Sequence, residues 1–358
     1  MSNVYRSLAK ASFYVMRVLV RRRIRVEVGG GSMKHFKILF AFLVMLVVTT
    51  PVDAQTKRIA VAYSAISATQ SAFYLAKDAK LFEKHGLYVD PVYVAGGSRV
   101  SQAVIAGEFT VALAGGNIVN ADLAGADIVV IGGVVNVPSF YLFVQPSIKG
   151  QENLRGKALG VTRYGASTDF TLRFLLKKWG LEPDRDVKVI QMGGQPEIFA
   201  GMQAGVIQGG ILSSPGDFKA KKAGFAMLAN FAKVGLDYPT TSIVSTRSTI
   251  KKDPETVKRF LMAYSEGVHR LFRNKELAMK IIGKWTRTQD RETLESSYEY
   301  ATNFIERPPH LPYKAIDMVL TQTAETDARA KGRKAEEFID PTIYNELEKS
   351  GFFKSLGR

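Results

Sequence analysis

The sequence predicts an α/β fold in two lobes, each a mostly parallel sheet flanked by helices. Three observations lead there. From Arg58 onward short apolar runs alternate with helical patterns, as in successive strand–helix–strand units. The chain has 358 residues, more than one typical domain. Two segments leave the alternation, and each reads as a passage from one lobe to the other.

In chain order, Arg58 to Ser64 reads as a strand, Ala68 to Leu81 as a helix and Leu87 to Val94 as a strand. Gly96-Gly97-Ser98 opens a helix to Ala106, and Thr110 to Ala114 and Ile128 to Val135 are strands. The chain is then expected to leave the first lobe. Ser139 to Val144 is an apolar strand ending at Gln145-Pro146, so the first crossing is placed at Val144 to Pro146. The second lobe starts with a strand at Ala158 to Thr162 and a helix at Ser167 to Trp179. A strand at Val187 to Met192 follows, then a helix begun by Pro196, a residue favoured in the first turn. Gly209 to Ser213 and Phe225 to Asn230 complete the strands. Pro239 to Ser245 is read as the second crossing. Beyond it Asp253-Pro254-Glu255 is a helix start, with an Asp cap, Pro at the first position and an acid in the first turn. Val257, Phe260, Leu261, Tyr264, Val268, Leu271 and Phe272 then recur at the spacing of one helix face. Pro312 and Asp340-Pro341 start two more helices. The expected division is therefore 57–144 plus 243–358 for the first lobe with its C-terminal helices, and 147–240 for the second. Two crossings make a two-strand hinge about which a cleft can close.

The first 54 residues stand apart. Met33-Lys34-His35-Phe36-Lys37 is basic, Ile38 to Val48 is apolar, and Val52 and Ala54 are small residues three and one before a cleavage point. That is the pattern of a secretory signal peptide over residues 33–54, and its apolar run is shorter than the roughly 20 residues a bilayer span needs. Residues 1–32 precede a complete signal and end in Gly29-Gly30-Gly31-Ser32, whose codons would be purine-rich as a ribosome-binding site is. They are read as an over-extended start, with Met33 the expected first residue. The first 54 residues hold nine Lys/Arg against two Asp/Glu, so the remainder keeps +9 of the chain's +16. Those charges are scattered without interleaved aromatics, and nucleic acid is not an expected partner. There is no cysteine, hence no lipid-bearing residue to tether the mature chain, which is expected free in the periplasm as a monomer. His85, His269 and His310 are far apart and form no metal-ligand spacing. No metal, cofactor or catalytic residue is expected.

Several motifs together resemble one family. Ser71 to Ala76 (SAFYLA), Leu81 to Val89 (LFEKHGLYV), Ala95 to Gly116 (AGGSRVSQAVIAGEFTVALAGG) and Leu154 to Ser167 (LRGKALGVTRYGAS), followed by the Asp253 helix, are similar to the nitrate/sulfonate/taurine-type periplasmic binding proteins. That family also includes the binding proteins for thiamine-pyrimidine precursors. The resemblance implies the type II periplasmic-binding-protein fold. It also implies a solute-binding component of an ABC importer, with a small-molecule ligand and an inner-membrane permease as partners. Where the family usually has Asp in its G-x-x-D-x-A strand entries, this chain has Thr110 and Gln208. Both departures concern a structural turn more than the pocket.

Candidate ligand residues follow from physics. Ligands of open α/β sheets bind beyond the carboxyl ends of strands, where helix N-termini offer free N–H groups and partial positive charge. In the first lobe this selects Ser64, Ser67, Thr69, Gly97, Ser98, Gly116, Asn117 and Asn136. In the second lobe it selects Arg163, Tyr164, Gly165, Ser167, Thr168, Gln195 and Ser214. Arg163 beside Gly165 to Thr168 is the expected charge clamp for an anionic group. Tyr63 or Tyr164 would stack on a flat ligand instead.

Two other functions compete. Eukaryotic pyrimidine-precursor synthases are similar in architecture but are recognised by a cysteine-rich motif, which this chain lacks. No G-x-S-x-G nucleophile elbow is present. A ligand-sensing adaptor for a membrane receptor would have the same sequence features as an uptake protein.

Overall fold

The computed structural model describes residues 56–357. The signal-peptide and start-site expectations for residues 1–54 lie outside the described residues. Two five-stranded sheets organise the rest. The first runs β2-β1-β3-β10-β4 and the second β7-β6-β8-β5-β9.

In the first lobe β1 (Lys57–Tyr63), β2 (Leu87–Tyr93) and β3 (Val111–Ala114) are parallel. β10 (Thr241–Ser245) runs antiparallel to both β3 and β4 (Val129–Val135). In the second lobe β6 (Ala158–Val161), β7 (Lys188–Gln191) and β8 (Gly209–Leu212) are parallel. There β5 (Tyr141–Val144) runs antiparallel to β8 and to β9 (Ala226–Asn230). Each sheet thus has one reversed strand, and in each it is the strand reached by crossing from the other lobe. A strand entered from the cleft must run away from it, whereas the others run towards it.

Period-two burial explains the layers. In β1, Ile59, Val61 and Tyr63 face one apolar core and Ala62 faces another. The first core is covered by α1 (Ser71–Asp78), α2 (Leu81–Lys84) and the long helices described below; the opposite face is covered by α3 (Gly97–Ile105) and α4 (Ile118–Leu123). The second lobe repeats the plan with α5 (Ser167–Lys178) on one face and α6 (Gln195–Gln203) and α7 (Gly216–Lys222) on the other.

After β10 come α8 (Arg247–Lys252), α9 (Pro254–Arg273), α10 (Lys275–Thr286), α11 (Arg291–Phe304), α12 (Tyr313–Thr323), α13 (Thr342–Lys349) and α14 (Phe352–Leu356). The Asp253 cap of α9 accepts the Thr256 amide at 3.4 Å, and Val257, Phe260, Leu261, Tyr264, Val268 and Leu271 are buried.

Three expectations need correction. The strand Tyr141–Val144 belongs to the second sheet, because its backbone is paired on both sides there. The first passage between sheets is therefore residues 136–140, not Val144 to Pro146, and the first lobe's leading segment ends before β5. The second passage is residues 234–240; Thr241–Ser245, read as part of it, is a central strand of the first sheet. The helix expected over Ala68 to Leu81 is broken: Lys80 has φ 55°, and this left-handed residue turns the chain so that Leu81 and Phe82 are buried.

Candidate functional site

The parallel strands of both sheets end at a common cleft. Four chain segments that open helices meet there, two from each lobe. Ser67 caps the turn Ala68–Gln70 that leads into α1, and Gly96 precedes α3. From the second lobe Ala166 precedes α5 and Gly194 precedes α6.

Between them lies a cavity of about 40 Å³. Its first-lobe wall is Ser64, Ala65, Ser67, Thr69, Gly96 and Gly97; its second-lobe wall is Thr162, Ala166, Ser167, Thr168, Gln195 and Ser213. The passages between lobes add Phe140 and Thr240, and β10 adds Thr241. Hydroxyls dominate this wall, and no side chain on it carries a charge. Helix N-terminal amides supply the positive potential instead.

Hydrogen bonds hold the hydroxyls in place. Ser67 Oγ accepts from the Thr69 amide at 3.3 Å, from Thr69 Oγ1 at 3.1 Å and from Ser213 Oγ at 3.1 Å. Thr168 Oγ1 accepts the Thr162 amide at 3.0 Å and lies 2.8 Å from Thr162 Oγ1. Gln195 Oε1 accepts the Ser213 amide at 3.0 Å. The lobes are in contact: the Ala68 amide donates to Ser214 O at 2.8 Å, Ser214 Oγ is 2.9 Å from Ser297 Oγ of α11, and Ser167 Oγ donates to Thr240 O at 3.1 Å. Glycine permits this approach. A Cβ on Gly115 would stand 2.0 Å from Ser167 Oγ of the other lobe. The two lobes thus close on a hydroxyl-lined cavity where helix N-termini meet.

Residues 67–278 match the family described as NMT1/THI5 like. The chain belongs to that family. Among curated relatives, a Brucella abortus protein named as a binding protein is 29% identical over 226 residues, which span 62% of this chain and 69% of that one. Among solved structures, a Bordetella bronchiseptica protein matches with TM-score 0.74 and 17% identity, over 83% of this chain and 98% of that one. The alkanesulfonate-binding protein SsuA from Xanthomonas axonopodis pv. citri, solved bound to MOPS, matches with TM-score 0.65 and 19% identity over 78% and 95%. The periplasmic nitrate-binding protein NrtA from Synechocystis PCC 6803 matches with TM-score 0.67 and 14% identity over 83% and 89%. At these identities the structural likeness establishes the periplasmic-binding-protein fold.

Within this NMT1/THI5-like chain, seven of the residues expected at the site line the cavity: Ser64, Ser67, Thr69, Gly97, Ser167, Thr168 and Gln195. Ser214 sits just behind it, in the interlobe contacts above. Ser98, in the first turn of α3, does not line it. Gly116, Asn117 and Gly165 line a separate groove of about 490 Å³ between α4, α5 and α12. Asn117 is a structural tie, donating through Nδ2 to Ser101 Oγ at 2.7 Å and to Gly97 O at 3.3 Å. Asn136 points elsewhere, donating to His310 O at 2.9 Å.

Arg163 does not line the cavity. Its stem lies across the lobe boundary on Gly96, where a Cβ would meet Arg163 Cγ at 2.4 Å, and its Nε is buried without a hydrogen-bond partner. Tyr93 stands near it. Burial raises the Tyr93 phenol to about 12, Glu197 and Tyr63 add to this, and Arg163 opposes it. Neither proposed stacking ring faces the cleft cavity. Tyr63 is buried among Phe73, Tyr74, Tyr93 and Trp285, and Tyr164 is half-exposed with its hydroxyl on Val189 O.

Among the wall residues that sequence reasoning missed are Phe140, Ser213, Thr240 and Thr241. Their positions at the crossings and at the end of β8 were visible in the sequence, but were read as hinge and strand alone. Gln208 does serve a turn: its Oε1 accepts the Ala158 amide at 3.0 Å and its Nε2 donates to Gly205 O at 3.3 Å.

Proposed function

We propose that the chain is the extracytoplasmic solute-binding component of an ABC importer and that its cleft holds the oxyanion end of a small organic molecule, a sulfonate or a carboxylate. One observation carries this reading: the cavity wall joins hydroxyls and helix N-terminal amides from both lobes and has no charged side chain. Such a wall donates many hydrogen bonds to an anion and offers no cation pair to fix a particular charge. The names of the structural relatives, alkanesulfonate-binding and nitrate-binding, support the oxyanion class. A cavity of about 40 Å³ holds one or two waters, so the lobes must part to admit an organic solute and the passages at 136–140 and 234–240 would be the hinge.

The same reading places the mature chain in the periplasm after cleavage between Ala54 and Gln55. Among the described residues no helix is long and apolar enough to cross a membrane. Mass spectrometry of the exported protein should find Gln55 first, and a full-length membrane-retained chain would overturn this.

The ligand class is tested by thermal-shift screening of the purified chain against alkanesulfonates, carboxylates, nitrate and pyrimidines, with calorimetry on the hits. The expected result is stabilisation by an oxyanion. A ligand at 100 times its Kd stabilises by about 2.7 kcal/mol. Stabilisation by uncharged pyrimidines alone would overturn the assignment. Turnover of a hit during the titration would favour an enzyme on this fold.

A further inference from the structure

Outside the cleft, four basic side chains gather where α9 ends. His269, Arg270 and Arg273 belong to its last turns, and Arg307 arrives from the loop after α11. The Arg307 guanidinium is held over the Phe272 ring, 5.2 Å from its centre. Among the described residues no ion pair or hydrogen bond engages the side chains of these four residues. The acid that acts on His269 is Glu266, and its carboxylate is already held by Lys84 at 2.7 Å and His85 at 2.8 Å; Glu306, next to Arg307 in the chain, makes no ion pair with it.

A cavity of about 130 Å³ opens at this place. His269 and Arg307 stand on its wall, and Val268, Pro308, Phe353 and Leu356 make an apolar floor. The His269 ring is held below its ordinary value, first by burial and then by the fields of Arg273 and Arg307.

A helix C-terminus attracts cations to its last turn, which accounts for Arg270 and Arg273. It does not account for Arg307, which comes from another element, or for a cavity between that residue and His269. Like charges brought together without a counter-charge repel one another, and a bound anion relieves this. Of the four, Arg307 and His269 stand on the cavity wall while Arg270 and Arg273 add their fields from outside it, and a phosphate dianion matches the Arg307 fork and the imidazole edge together.

We propose that this pocket is a second binding site, for a phosphate monoester whose attached apolar body rests on Val268, Pro308, Phe353 and Leu356. It is separate from the cleft and does not depend on the solute bound there. The same head group is carried by free organic phosphates and by anionic lipid surfaces, so both sources are tested.

Phenyl phosphate is titrated into the full chain while the imidazole C2–H resonances are followed by proton NMR. The chain has four histidines, assigned through single His→Gln variants. His85 and His310 have partners in Glu266 and Tyr344. The expected result is that the His269 resonance alone moves, with saturation below about 1 mM, and that its pKa rises because a dianion favours imidazolium. Arg307→Ala should weaken binding at least tenfold, and Arg273→Ala, which removes only a field from outside the wall, by a smaller factor, both with an unchanged circular-dichroism spectrum. In parallel, the protein is sedimented with phosphatidylcholine vesicles with and without phosphatidic acid. Binding of phenyl phosphate assigns a free organic phosphate. Retention on phosphatidic-acid vesicles alone, lost in the arginine variants, assigns a lipid head group. Failure of both probes, equal shifts of all imidazoles, or full binding by both variants would overturn the proposal.

Discussion

Ser67 of the first lobe and Ser213 of the second meet hydroxyl to hydroxyl across the cleft, 3.1 Å apart. The Ser67 hydroxyl is held by its own turn, through the Thr69 amide and hydroxyl, and the Ser213 backbone is held by Gln195. The first lobe thus presents a hydroxyl already fixed in place, and the second presents one on an anchored backbone, where the two walls close.

The bond gives a direct test of closure. One hydrogen bond contributes about 0.5–1.5 kcal/mol, so Ser67→Ala and Ser213→Ala should each weaken binding of the screened solute by roughly three- to tenfold. In a double-mutant cycle the pair should lose less than the sum of the two. Strict additivity would mean that the two hydroxyls do not cooperate in the bound state.

Gly115 is where the walls have no room. A Cβ there would meet Ser167 Oγ at 2.0 Å and Thr240 O at 2.8 Å. Gly115→Ala should fold but hold the lobes apart, with a larger radius of gyration in small-angle scattering and at least about tenfold weaker solute binding, the equivalent of 1.4 kcal/mol. Adding Ser167→Ala removes one of the clashing atoms and should restore part of the loss. An unchanged scattering profile and affinity would show that the contact is not made in solution.

Arg163 separates two roles for a cation. A clamp on the ligand would act on dissociation, whereas a cation at the cleft edge acts on association and its salt dependence. The position of its stem on Gly96, off the cavity wall, favours the second. Arg163→Ala should slow association by roughly three- to tenfold at low salt and flatten the salt dependence, with the dissociation rate nearly unchanged. Stopped-flow kinetics decides this, and a tenfold faster dissociation would restore the clamp.

Asp217 lies in the first turn of α7 near Tyr141 and Tyr300. Burial pushes its carboxyl up to about 6, against hydrogen bonds from the Phe218 amide and Ser214. The folded state therefore keeps its proton at a pH where the unfolded chain, with an ordinary value near 3.8, has lost it. Stability from this group is full below about pH 4, falls as pH rises, and levels off above about 6. Asp217→Asn should leave stability similar near pH 4 and raise it near pH 7.5 by about 1 kcal/mol, a few degrees in Tm. Thermal melts of both proteins across this range provide the check. A gap that does not vary with pH would remove Asp217 as its source.

Much of the lobe plan was legible because strand and helix periods are local. The apolar face from Val257 to Leu271 is buried as its spacing requires. The small polar residues near strand ends reached the cleft where they cap or open a helix, as at Ser67, Gly97, Ser167 and Gln195. Asn117 and Asn136 show the limit. Both stand near strand ends, yet their amide nitrogens are taken by Ser101 and Gly97, and by His310, which is 174 residues further along the chain. Sequence carries no record of such a partner.

The sequence by itself determined an α/β chain whose strand ends carry mostly small polar residues, because side-chain size, turn chemistry and periodicity act within a few residues. The tertiary structure decided which of those residues share a wall. Residues 141–144 complete the second sheet only because strands formed later in the chain, β8 and β9, offer backbone partners on both sides. Arg163 lies off the cavity because Gly96, from the other lobe, leaves space for its stem. Both outcomes depend on contacts between distant segments, which form only when the lobes are folded and packed together.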